Sequence, residues 1–410
     1  VRRILDETTD LIRLYRHHVG KSETPIDYHV WACIAAIAAC VADRVWLTKL
    51  GRPLSPALYV TLLGPSGIGK GAATEHMLSY LEDIPVVNTY SGVITAQKFL
   101  HFLAGTKVKK RSGGDNEVIE VKKDPAKVFL VTEELTWCLG VGPPALEFVR
   151  MITGMYNKST TIKKGTITSG LQVLKKSSIN WLGGTTLDWL TDGLPRRSIE
   201  GGFIGRLIIV DAEYDMQKRI RDAILPPDVE EVTDHIRRRF QRLTEITGEF
   251  AVTKQARAIE DQWFYGRPEP NDVRLIPSWR RQHDHLLKLA MILSLSESHD
   301  LRIMRRHMIA ARDLVEHTFA ATLKILEACY TTIETEGIDM VRKIVRNASQ
   351  MKHSVLQRKV SPRGVDARKL AGIIETLRAG HEIKIYSGAR RGKVYEWQRT
   401  RIGGQKPKQS

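Results

Sequence analysis

Between residues 57 and 211 short apolar runs recur between amphipathic stretches. Ala57 to Leu63, Pro85 to Tyr90, Lys127 to Val131, Ser178 to Leu182 and Leu207 to Asp211 are apolar, mostly β-branched or aromatic, and read as buried strands. Helices are predicted from about Gly71 to Leu81, Thr95 to Leu103 and Ala145 to Gly154. That alternation predicts an α/β fold: a parallel sheet with helices on both faces. Residues 1–50 read as helices broken at Pro25, and the run Val30 to Ala42 suits a core helix, being too short for a bilayer. Residues 104–126 read as an inserted, solvated hairpin around Ser112 to Asn116, and Ser159 to Ser169 alternates in strand fashion around Lys163-Lys164-Gly165. The stretch 213–335 is mostly helical, with three- and four-residue apolar spacing over Ser278 to Leu295 and Arg302 to Tyr330.

A separate module follows at 336–400. Helices are predicted over Ile338 to Ala348, His353 to Lys359 and, capped by Asp366, on to Ala379. Leu370, Ile373, Ile374 and Leu377 give the last helix an apolar face, with Arg368 and Lys369 opposite. A hairpin pairs Glu382–Tyr386 with Lys393–Trp397, its turn carrying Arg390 and Arg391 beside Lys393. A recognition helix followed by a basic wing reads as a winged helix that binds duplex or forked DNA. The polar residues 401–410 read as a disordered tail. The domain order is thus a helical region (1–50), an α/β core (51–212), a helical lid (213–335), the winged helix and the tail.

Charge sharpens this picture. The chain has 410 residues, 42% apolar content and a net charge of +17, a balance that favours a polyanionic partner. Residues 338–410 hold 18 Lys/Arg against 5 Asp/Glu, so most of the excess lies in the terminal module. Cys33, Cys40, Cys138 and Cys329 make no CxxC pair and no metal spacing, and read as buried thiols of a reducing, cytoplasmic compartment. No secretory or membrane-spanning segment is visible, and a start at Val1 reads as a fragment or a processed product.

The first predicted strand runs into Gly64-Pro65-Ser66-Gly67-Ile68-Gly69-Lys70, and a helix opens at Gly71-Ala72. Strand, Gly-x-x-x-x-Gly-Lys and helix together form a phosphate loop for ATP. Its glycines let backbone N–H groups wrap the phosphates, the helix N-terminus adds partial positive charge, and Lys70 reaches the terminal phosphates. Gly71 stands where a Ser or Thr hydroxyl ordinarily ligates Mg²⁺, leaving the ion to phosphates, water and a carboxylate. Nucleotide monophosphate kinases resemble the chain in this Gly-Lys-Gly run.

The strand Val128 to Thr132 ends in Glu133-Glu134. Hydrolysis needs one acid near the metal and one to orient water; Glu133 is assigned to the metal and Glu134 to the water, and the two roles are interchangeable at this stage. Arg206 precedes the last core strand and is the candidate for stabilising a neighbour's phosphoryl group, with Arg196 and Arg197 as competitors. Thr185 is the candidate γ-phosphate sensor, with Thr186 and Asn180 as alternatives. Arg280 and Arg281 are placed to reach the nucleotide from the lid.

Taken in order, Leu58 to Gly67, Ser91 to Thr95, Val131 to Leu135, Trp181 to Thr185, Gly201 to Arg206 and Leu286 to Ala290 resemble the AAA+ and superfamily 3-like replicative helicases of viruses, phages and plasmids. More narrowly, residues 26–335 look like the helicase-like ATPase domain often fused to primases in phage and prophage proteins. The resemblance implies a hexameric ring with nucleotide between subunits, and a primase or polymerase as a further partner. It also implies a pore hairpin gripping single-stranded DNA, here Ser159 to Ser169 with Lys163 and Lys164 at its tip. No primase motif is visible. Rival readings are an ATP-dependent initiator or loader, a nucleotide-binding DNA scaffold without hydrolysis, and a small-molecule phosphotransferase.

Overall fold

In a computed structural model the described residues are 10–19, 22–84, 87–91, 95–104, 127–135, 143–156, 162–166, 170–174, 177–193, 202–213, 229–272, 275–388 and 392–398. The chain divides into two units, Val1–Leu326 and Glu327–Ser410. Arg196, Arg197, Arg390, Arg391, the tail 401–410 and all but the first residue of the expected insertion lie outside the described residues.

The first unit opens with helices α1 (Leu11–Val19) and α2 (Ile26–Val41). Strands β1 (Val45–Lys49) and β2 (Arg52–Leu54) then pair antiparallel. Helices were expected through residue 50; the β-branched, alternating Val45-Trp46-Leu47-Thr48 forms a strand instead. The core elements follow as β3 (Tyr59–Leu63), α3 (Lys70–Leu78), β4 (Thr89–Ser91), α4 (Ala96–Leu103), β5 (Lys127–Thr132), α5 (Pro143–Met155), β6 (Ile162–Thr166), β7 (Gly170–Leu174), β8 (Ser178–Thr185) and β9 (Leu207–Asp211).

Five of these strands form an all-parallel sheet in the order β4-β5-β8-β3-β9, while β6 and β7 pair only with each other. The fold is therefore α/β. All five residues of β3 and all eight of β8 are buried, as strands covered on both faces must be. Their side chains sort alternately. Val60, Leu62 and Leu182 join the core cluster with α2, whereas the rings of Tyr59 and Trp181 meet Tyr156 and Phe148. Helix α2 contributes twelve buried residues to that cluster, so the expected separate helical region is not apart from the main core.

The lid stretch is helical as expected: α6 (Val229–Leu243), α7 (Lys254–Gly266), α8 (Ile276–Glu297) and α9 (Arg305–Ala348). Short pairings join β10 (Gly248–Glu249) to β1, and β11 (Ala251–Val252) to β12 (Arg302–Ile303). The sequence predicts separate helices ending near Tyr330 and starting at Ile338; here they are one. Gly337 is the sole helix-weakening residue between them and there is no proline, so nothing breaks the hydrogen-bond ladder.

The second unit contains the end of α9, then β13 (Gln350–Lys352), α10 (His353–Val360), α11 (Ala367–Ala379), β14 (Ile383–Gly388) and β15 (Gly392–Trp397), with sheet order β13-β15-β14. Asp366 caps α11, its Oδ1 accepting from Lys369 N at 2.8 Å. Leu370, Ile374 and Leu377 from α11 pack with Leu356, Val360, Ile383 and Tyr395 into a core of their own. Among the described residues no helix is long and apolar enough to cross a membrane.

Candidate nucleotide site

The loop between β3 and α3 lies at the carboxyl ends of the sheet, where the connection leaving β3 runs to one side, to β4, and that leaving its neighbour β8 runs to the other, to β9. Such switch points are where open α/β sheets form ligand crevices. Gly67 and Gly69 take φ of +85° and +88°, which turns the loop back on itself. A side chain at Gly69 would strike Thr24, whose Oγ1 stands 2.3 Å from the position a Cβ would occupy. One at Gly64 would strike the Ile68 side chain and the Tyr28 hydroxyl, at 2.3 and 2.5 Å. The Tyr28 hydroxyl donates to Leu63 O at 2.5 Å, and Gly64 N donates to Thr185 O at 3.1 Å. The loop is thus held between α2 and β8. Pro65, Ser66 and Gly67 are exposed, Ile68 is buried, and Gly71 and Ala72 open α3 with Ala72 exposed.

Lys70 is 5% exposed, and its Nζ donates to Gly64 O and Pro65 O, both at 2.7 Å. Burial pulls its pKa below the usual lysine value, partly offset by the Glu134 carboxylate. The ammonium is thus turned onto the carbonyls of its own loop, beside the exposed Pro65, Ser66 and Gly67.

The paired acids follow β5, the strand separated from β3 by β8 alone. Leu135 N donates to Gly184 O at 2.8 Å, which anchors the chain just after Glu134. A Cβ on Gly184 would stand 2.3 Å from Glu133 O and 3.3 Å from Lys70 Cε, so the glycine lets β8 pass between the lysine and the acids. Glu133 is exposed and its Cγ lies 3.9 Å from where a Gly71 Cβ would be; Glu134 is half-buried on the Lys70 side. Glu133 is thus the acid beside Gly71, from where a carboxylate could reach a cation that phosphates and water also hold. Thr74, one turn further on, is buried and donates its hydroxyl to Gly71 O at 2.7 Å, so it is committed within α3. Among the described residues no group of three or more His, Cys, Asp or Glu could hold a metal by itself.

Thr185 closes β8 at this edge, wholly buried, with its Oγ1 donating to Thr186 O at 3.4 Å. Asn180 is elsewhere. Its Oδ1 accepts from Leu58 N at 3.0 Å and its Nδ2 donates to Ala38 O at 3.5 Å, a structural clasp near the amino end of the sheet.

Arg206 is also away from the loop. It precedes β9, and Leu207 is in register with Tyr59, the first residue of β3. At the rise of a strand, Arg206 is roughly 20 Å along the sheet from Gly64. Its Nη1 donates to Gly202 O at 2.7 Å, and its guanidinium lies 5.9 Å from the Tyr156 ring centre. Arg281 stands at this same edge, not over the loop, because the start of α8 packs on the turn 204–206.

Lys163 and Lys164 fall inside the β6–β7 ladder, in register with Val173 and Gln172. The ladder pairs 162–166 with 170–174, so the two lysines lie within a strand and not between the two strands, where the expected tip would be. In the second unit Arg368 and Lys369 are exposed on the first turn of α11, and Lys393 is exposed at the start of β15.

Thr24 and Tyr28 went unnoticed in the sequence. Their only signal is Thr24-Pro25, the break before α2, which says nothing of a loop some forty residues away. No protein-family model matches the chain, and no curated protein matches it significantly.

Proposed function

We propose that the chain is a P-loop ATPase of AAA+ type that assembles through repeated copies and moves on DNA. One observation carries the reading. Lys70, Glu133, Glu134 and Thr185 belong to one carboxyl edge of the sheet, around a glycine loop that opens a helix. On this reading ATP lies along Gly64 to Ala72 with its terminal phosphates on Lys70. When bound, Mg²⁺ supplies charge neutralisation at those phosphates, with Glu133 as its protein carboxylate. Glu134 orients the attacking water and accepts its proton, and Thr185 holds the far side of the γ-phosphate. Arg206, at the other edge, serves the nucleotide of an adjacent copy, as a ring, a hexamer in the family resembled, requires.

DNA is the proposed track. Support comes from the charge excess in the second unit, from Arg368, Lys369 and Lys393 exposed there, and from the three-helix and hairpin arrangement, which suits a winged helix. The β6–β7 hairpin with Lys163 and Lys164 is the proposed single-strand contact. ATP turnover with and without single-stranded DNA, beside Glu134→Gln, tests the reading. Stimulation by DNA that the variant loses supports a motor. Nucleotide binding without turnover in either condition would leave a DNA-bound scaffold in its place.

A further inference from the structure

Two arginines from distant parts of the chain converge on one glycine. Gly202 has φ +73°, and a Cβ there would stand 3.1 and 3.3 Å from Nη1 and Nη2 of Arg281 and 3.5 Å from Nη1 of Arg206. Each guanidinium is held from behind by a single carbonyl: Arg206 donates to Gly202 O at 2.7 Å, Arg281 to Pro277 O at 3.0 Å. Among the described residues neither forms an ion pair, and the Nε of Arg206 is buried without a partner. The nearest carboxylate influence on Arg281 is Asp284, which is itself paired with Lys49 at 2.5 Å.

Tyr156 backs Arg206, with Tyr59 against its ring, the Nζ of Lys288 4.1 Å from its ring centre and Nε2 of His285 3.1 Å from its hydroxyl. Burial pulls the pKa of Lys288 down to about 7 and that of His285 to about 3, so the imidazole is neutral and neither neighbour is an anion that could pair with the arginines. Burial is the main cause that lowers the pKa of both arginines, and the charge of Arg281 lowers that of Arg206 further. Guanidinium groups stay charged at any working pH. Two of them, half-buried side by side with hydrogen-bond donors to spare, form a site for a multivalent oxyanion. The chain's own phosphate loop is at the opposite edge of the sheet, so the pair is out of reach of a nucleotide on that loop.

We propose that Arg281 is a second trans-acting catalytic residue: with Arg206 it grips the terminal phosphate of ATP bound to an adjacent copy of this chain. The proposal rests on the reading of Arg206 given above. It moves Arg281 from the chain's own nucleotide, where the helical lid suggested it, to the neighbour's. Two forks on one phosphoryl group stabilise charge on more than one equatorial oxygen, and a lysine in either position would hold it as a point charge only.

Subunit mixing tests it. Alone, Lys70→Ala, Arg206→Ala and Arg281→Ala should each lose at least about 100-fold in turnover. An equimolar mixture of Arg281→Ala with Lys70→Ala should recover about a quarter of wild-type turnover. In a ring of randomly mixed copies, one interface in about four joins an intact loop to an intact arginine pair. Arg206→Ala with Lys70→Ala should recover equally. Arg206→Ala with Arg281→Ala should recover nothing, since no copy then offers both arginines. Recovery in that last mixture but not with Arg281→Ala and Lys70→Ala makes Arg281 a residue of its own chain's site, which overturns the proposal and leaves Arg206 in trans. No recovery from Arg206→Ala with Lys70→Ala overturns the trans reading itself. Undiminished turnover in Arg281→Ala alone also sinks the proposal. Arg281→Gln, which keeps the helix surface polar, runs in parallel as a guard against misfolding. In both variants ATP affinity of the dilute chain should match wild type; weakened binding there would return Arg281 to its own nucleotide.

Discussion

At the scale of single residues, two glycines with nearly the same backbone angle make different demands. Gly67 has φ +85° and open space around it, while Gly69 has φ +88° with Thr24 in the way. Gly67→Ala should therefore cost only the left-handed strain, about 1 to 2 kcal/mol. Gly69→Ala should cost more and weaken ATP binding, and adding Thr24→Ala should recover only the steric share. Thermal unfolding of the three variants decides this; equal losses would mean that Thr24 does not constrain the loop. Gly71 behaves differently again, because a Cβ there meets only ordinary contact with Glu133. Gly71→Ser should fold normally and lower the Mg²⁺ concentration needed for half-maximal turnover several-fold, read from a metal titration. The loop, the acids and Thr185 are all visible in the sequence, because each is a short signal at the end of a strand. Thr24, Tyr28 and the true place of Arg281 are not, since they depend on which distant helices close over the sheet.

At the scale of elements, α1, α2 and α3 meet through rings. The Tyr15 hydroxyl lies 3.2 Å from Nδ1 of His29 and 3.0 Å from Nδ1 of His76, and the His18 and His76 rings stack at 6.1 Å. Ser22 lies 3.3 Å from Nε2 of His29, and Tyr80 packs edge-on against His76 and Tyr15. Burial first, and then the charge of His76, push the His29 pKa down to about 4. An unfolded histidine takes up its proton near pH 6.5, so this group favours the fold above 6.5 and progressively loses that contribution as the pH falls towards 4. The urea midpoint should drop over that window, and His29→Gln should flatten the drop; an unchanged slope would place the acid sensitivity elsewhere. In the second unit, Asp366→Ala should weaken α11 by about 1 kcal/mol, seen as faster amide exchange over 367–379 in the full chain. Elements with strong apolar patterning were legible from sequence, including β3, β5, β8 and β9 of the parallel sheet, whereas β4 starts only at Thr89, near the end of the expected Pro85–Tyr90 run. The hairpin at 45–54 was not, because its strands are short and follow directly on a helix. The continuity of α9 was also missed, since a lone glycine looks like a boundary until packing holds the helix through it.

At the scale of the whole molecule, the two units divide the proposed work: nucleotide chemistry on the first, most of the net positive charge on the second. Replacing Arg368, Lys369 and Lys393 together by Gln should weaken duplex binding uniformly across sequences and make its salt dependence shallower by up to about three charges. Affinity that keeps its salt slope in this variant would move the duplex contact off the second unit. The sheet order has a further consequence. Glycine loop and arginine pair terminate opposite edges of the same five strands, so on the proposed mechanism no solitary copy holds a complete catalytic set. Specific activity would then be a function of concentration: near zero at high dilution, climbing steeply once copies meet. A cell holding a few molecules would carry a silent enzyme, and the onset of ATP consumption would mark the moment of assembly.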